Sequence, residues 1–181
     1  FIINGIITFM LTAGSWPNDG SFWSAFFNPG FWPSLTLRSL IAVALAGLFG
    51  LLFLSFSPQQ KQRTRLLRRA CLLTLAALLA ATPVAWWYLH SLPNVVEALF
   101  QGGSPTIGRA LSLGAVGATS LFVLLFFFLW QPRRCTPTVA ALTLLAALML
   151  MGSFEWTREA ARRPFVVQQT MFSNGIEAAQ V

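Results

Sequence analysis

The residues best able to do chemistry in this sequence fall together in the run 155–165, Glu155-Trp156-Thr157-Arg158-Glu159-Ala160-Ala161-Arg162-Arg163-Pro164-Phe165. Two acids and three arginines in eleven residues stand out in a chain that is only 9% charged. On a helix, Glu159 reaches Arg162 and Arg163, three and four positions on, and Pro164 is expected to stop that helix. Such a group can anchor a helix end as an interfacial salt-bridge cluster. Two further candidates are isolated. His90, the one histidine, closes the aromatic run Trp86-Trp87-Tyr88-Leu89-His90, and Cys71 and Cys135 show no metal-ligand spacing. Phosphate-binding glycine loops and nucleophile–base pairs are absent from the sequence, so nothing supports soluble enzyme chemistry.

The elements that must position these residues are read from hydropathy. Of 181 residues 56% are hydrophobic, which is the composition of a polytopic membrane protein and not of a soluble domain. Four stretches, 33–57, 70–90, 107–130 and 137–154, are long enough to cross a hydrocarbon core that takes roughly 20 apolar residues. The expected fold is therefore an all-α, polytopic transmembrane helix bundle with four full spans. The apolar piece 1–11 is too short to span and lacks an initiator Met and a basic flank. It reads as the end of a truncated fifth helix, and the chain as part of a longer protein. After it come an outer aromatic loop at 12–32, the four-helix membrane domain at 33–168 and a tail at 169–181.

Orientation follows from the arginines. The linker 57–69 carries Lys61, Arg63, Arg65, Arg68 and Arg69, the linker 131–137 carries Arg133 and Arg134, and neither contains an acid. Both are expected on the cytoplasmic side. All the acids (Asp19, Glu97, Glu155, Glu159 and Glu177) then fall on the opposite side, beside Arg38, Arg109, Arg158, Arg162 and Arg163. The net charge of +7 thus reflects membrane topology, and no nucleic-acid partner is expected. On the cytoplasmic side, thiols such as Cys71 and Cys135 stay reduced.

Three motifs, in order, carry a resemblance. The sequence Glu159, Arg162, Pro164, Phe165 resembles the Glu-x-Gly-Arg-Gln-Pro-Trp signature that closes the membrane domain of cytochrome bd quinol oxidase subunit I, with Ala161, Arg163 and Phe165 replacing the Gly, Gln and Trp. Phe9-Met10-Leu11-Thr12-Ala13-Gly14 resembles the Trp-Met-x-Thr-Pro-x-Gly that ends that family's fourth helix. Phe26-Phe27-Asn28-Pro29 resembles the Phe-Asn-Pro before its fifth. The resemblance implies the C-terminal half of such a subunit in a bacterial cytoplasmic membrane. It implies haem b or haem d as cofactor, with Glu159 an axial ligand or close neighbour of a high-spin haem. Arg162, Arg109 and Arg38 would neutralise its propionates, and His90 is a further candidate ligand. Expected partners are other membrane subunits or the N-terminal part of the same protein, the lipid bilayer, and an extracytoplasmic cytochrome c. No Cys-x-x-Cys-His is present to attach a c-type haem.

The chain also departs from that family. Where a low-spin haem would take its His it has Leu37 and Arg38, and where the Met would follow Arg109 it has Leu111, so that haem is expected to be lost. A buried Arg38 would need a partner, such as Glu155 or a propionate. The outer segment 91–106 is too short to be the family's quinol-binding loop. Two readings result: a membrane subunit of a bd-like electron-transfer complex holding part of a high-spin haem site, or a haem-free membrane anchor of a redox complex. Along the helix at 107–130, Ala110, Gly114, Gly117 and Ala118 form a small-residue stripe that invites close helix packing.

Overall fold

A computed structural model describes residues 1–58, 60–100 and 104–167. The described residues are helical, with no strand, in the order α1 (Ile2–Phe9), α2 (Trp16–Asp19), α3 (Phe22–Phe26), α4 (Phe31–Ser55), α5 (Gln60–His90), α6 (Asn94–Ala98), α7 (Pro105–Trp130) and α8 (Pro137–Val167). Four helices, each built around one of the expected apolar stretches, are long and apolar enough to cross a membrane. In hydrocarbon a backbone must satisfy its own hydrogen bonds, and uninterrupted helices do so.

Helix ends depart from the ends of the apolar runs. Residues 60–69 were expected in a linker, yet α5 begins at Gln60 and carries the arginines on its first turns. Gln, Lys, Arg and Leu are good helix formers, so leaving the apolar phase does not end the helix. Likewise α8 runs through Pro164 to Val167, although Pro164 was expected to stop it. Only one backbone bond is lost there, near a terminus whose last carbonyls lack intrahelical donors in any case. After α5, α6 forms at Asn94–Ala98, and α7 opens with Pro105 in its first position. At the start of α8, Thr136 accepts the Val139 amide through its hydroxyl and Pro137 follows it, a cap and a pre-set φ in adjacent residues.

The chain forms two compact units that divide the long helices at 37/38, 83/84, 109/110 and 154/155. The first comprises Phe1–Leu37, Val84–Arg109 and the chain from Glu155 onward. Its polar centre is Asn28, 2% exposed, whose amide donates to the Ala25 carbonyl at 2.9 Å and to the Gly5 carbonyl at 3.3 Å. The hydroxyl of Thr12 lies 2.8 Å from Asn28 Oδ1. Asn4 adds a second tie from α1 to α4, donating to the Phe31 carbonyl at 2.9 Å and accepting from Ser34 at 2.9 Å. Gly30 makes this approach possible, since a Cβ there would come within 2.8 Å of the Thr12 hydroxyl. Fully buried Phe31 sits against Phe1, Phe26, Phe27 and Trp32. A separate apolar cluster joins Leu92 and Val96 to Ile107 and Ala161.

The second unit, Arg38–Pro83 and Ala110–Phe154, draws its core from all four long helices, with Leu48 and Leu51, Leu67 and Leu75, Leu121 and Phe128, and Ala140 and Ala147. In lipid, tight packing stands in for hydrophobic exclusion, so small residues at the contacts decide how near helices come. A Cβ on Gly117 would lie 3.0 Å from the Ala146 carbonyl oxygen and 3.0 Å from the Leu150 nitrogen, both backbone atoms of α8. The small-residue stripe is therefore the α7–α8 contact. Buried Thr74 and Thr143 return their hydroxyls to the carbonyls of Ala70 and Val139, one turn back.

Candidate functional site

The charged run lies on the last turns of α8 within the first unit. Helical spacing alone sets its pairs. Arg162 grips Glu159 in a fork, Nε to Oε2 and Nη2 to Oε1, each at 3.1 Å. Arg158 Nε donates to Glu155 Oε2 at 2.8 Å. Both pairs are three residues apart, and Glu159 does not bond Arg163 among the described residues. The Glu159 side chain remains 54% exposed and Arg162 is 29% exposed, so the pair sits at a surface with one side packed. That packed side faces Met10, the residue after α1. Arg162 Nη1 lies 3.7 Å from the sulfur of Met10, and neighbouring Ala161 is buried beside Leu92, Val96 and Ile107.

The remaining candidates lie apart from that pair. His90, at the end of α5, has its ring edge-on to Trp86 at 4.6 Å between centroids, and its Nδ1 is 3.5 Å from Glu97 Oε1 on α6. The contact joins α5 to α6 and leaves the imidazole half exposed. Arg109 is exposed on the first turns of α7 and forms no ion pair among the described residues. Arg38 is exposed on α4 as the first residue of the second unit. Cys71 and Cys135 are free and buried in the second unit's core. Burial pushes the Cys135 thiol up, against the opposing pull of the Arg63 guanidinium, which keeps it protonated and unreactive.

These donors can be tested against a haem. An iron ligand must present a free lone pair; each Glu159 oxygen accepts one bond from Arg162 and keeps a second lone pair. The Glu159 side chain, 54% exposed, keeps a solvent-facing side. An axial haem ligand is a single side chain, and no group of three His, Cys, Asp or Glu converges among the described residues to hold a bare metal ion instead. A guanidinium suits carboxylate geometry, so Arg109 and Arg162 have the chemistry to meet haem propionates.

Two contacts escaped sequence reasoning. Met10 is one apolar residue among many, and its meeting with Arg162 across 152 positions has no local signal. Arg63, whose Nη2 donates to the Cys135 carbonyl at 2.6 Å, looks in sequence like the other arginines around it. Asn4, by contrast, could have been found as a polar residue inside an apolar run. No protein-family model, curated protein or solved structure matches the chain.

Proposed function

We propose that the chain is a membrane subunit of a respiratory electron-transfer complex resembling cytochrome bd oxidase, seated in a bacterial cytoplasmic membrane with 57–69 and 131–137 facing the cytoplasm. Its outer end would contribute part of a high-spin haem site. The observation that carries this reading is the meeting of the three resembling segments in one compact unit. The hydroxyl of Thr12 lies 2.8 Å from Asn28 Oδ1, and Met10 contacts Arg162. Segments far apart in sequence that share both a resemblance and a site are better explained by common architecture than by separate coincidences.

Within this reading Glu159 holds the Arg162 guanidinium in a fixed pose against Met10, and Arg162 with Arg109 offers positive charge to propionate carboxylates. Haem b or haem d, when bound, would supply one-electron chemistry, with Glu159 as this chain's candidate carboxylate for its iron. The closed Glu159–Arg162 fork also favours a second reading, in which the pair is structural and the chain is a haem-free anchor of a redox complex.

The pyridine haemochrome of the purified complex separates them. Haem b or d present in fixed ratio to the chain supports the first reading. A complex that assembles with neither supports the anchor.

A further inference from the structure

We propose that the basic end of the second unit binds anionic phospholipids, with Arg65, Arg68, Arg69, Arg133 and Arg134 on the phosphodiester headgroups. This unit contains basic residues and not one Asp or Glu in its sequence, so no carboxylate of its own can neutralise them. All five arginines are exposed. Arg65, Arg68 and Arg69 stand three and four positions apart on α5, where like charges repel unless an anion lies between them. Arg63 fixes the arrangement. Its bond to the Cys135 carbonyl, at 2.6 Å, ties the first turns of α5 to the short helical turn Pro132–Arg134, which brings both arginine groups to one end of the unit. Two helices begin and two end there, so their dipoles offset and the arginines set the field.

A free phosphate would be drawn by the same charge, but the surroundings select a ligand with a tail. Leu72 and Leu73, 56% and 50% exposed, follow Arg68 and Arg69 by one helical turn on the same uninterrupted helix. Trp130, 89% exposed, ends α7 just before Arg133 and Arg134. Each basic group thus borders an exposed apolar surface in the direction of the span. Charge at the membrane surface beside apolar side chains at acyl-chain depth matches phosphatidylglycerol or cardiolipin better than it matches nucleic acid or an acidic peptide.

The test quantifies phospholipids retained by the full chain purified in mild detergent from membranes containing phosphatidylethanolamine, phosphatidylglycerol and cardiolipin. Anionic lipid should be retained several-fold above its share of the membrane, and this enrichment should fall to about one in the Arg65→Gln, Arg68→Gln, Arg133→Gln, Arg134→Gln variant. Arg158→Gln, in the other unit, should keep it. Because the four-fold variant could misfold, the pair Arg133→Gln, Arg134→Gln, which lies outside the long helices, is measured beside it with a check of helicity by circular dichroism. A folded pair variant should lose at least half of the enrichment. Retention that ignores these substitutions would overturn the proposal. Complete displacement of the lipid by inorganic phosphate would do so too, as would nucleic acid or an acidic protein co-purifying in its place.

Discussion

The Nη1 atom of Arg162 lies 3.7 Å from the Met10 sulfur, joining the end of α8 to the residues that follow α1. The other edge of the same guanidinium is held by Glu159. One arginine thereby links the charged run to Met10, two residues before Thr12 of the network built on Asn28, within one compact unit.

Asn28 should be the most sensitive polar position in that unit. It is buried, and Asn28→Ala removes the side-chain donor to the Ala25 carbonyl, while the Gly5 carbonyl keeps only the Thr8 hydroxyl as a side-chain donor. Unsatisfied buried groups of this kind cost about 1–3 kcal/mol, so thermal unfolding in detergent should show a clear loss of stability. Asn28→Asp should also destabilise, since a carboxylate presents acceptors where the site needs a donor.

Glu159→Gln should do little to stability. The pair is exposed on its glutamate side, and exposed ion pairs contribute less than about 1 kcal/mol. The same unfolding measurement should rank it well below Asn28→Ala; a reversed order would mean that the pair is buried in the assembled complex.

Gly117→Val should force α7 from α8. The new side chain meets backbone atoms, which cannot rotate away, and overpacking of this kind costs about 1–3 kcal/mol. Gly152→Ala is the control, because an added Cβ there meets nothing within 4 Å and should be neutral or mildly stabilising.

Asp19 gives the loop between α2 and α3 an acid limit. The Ser24 hydroxyl at 2.6 Å, with the Ser21 amide at 2.8 Å, holds its carboxyl below the ordinary aspartate value. A depressed folded-state pKa stabilises the turn fully above the unfolded value, and the contribution disappears as pH falls through the folded one. Hydrogen exchange at the Ser21 amide should therefore stay protected through the ordinary aspartate range, about pH 4, and lose protection only at lower pH. In Asp19→Asn that pH dependence should vanish.

The spans were legible because twenty-residue apolar runs have few alternatives in a membrane. Their helical extensions were not, since Arg65 or Arg158 ends hydropathy without ending helix propensity, and Pro164 near a terminus breaks too few bonds to terminate α8. The i to i+3 pairing of Glu159 with Arg162 was readable from spacing. Its contact with Met10 and the tie from Arg63 to Cys135 depend on how distant segments pack, which no local pattern records. Asn28 was visible within a motif, although its role as the hydrogen-bonding hub became clear only with Thr12 and Gly5 placed around it.

The most direct test of the central claim is the reduced-minus-oxidised visible spectrum of the purified complex, recorded for the unaltered chain and for Arg162→Gln and Glu159→Ala. The account predicts a haem b or d signal whose high-spin component shifts in both variants, because Glu159 positions the guanidinium that faces the cofactor. A spectrum without haem, or one identical in all three proteins, would contradict it.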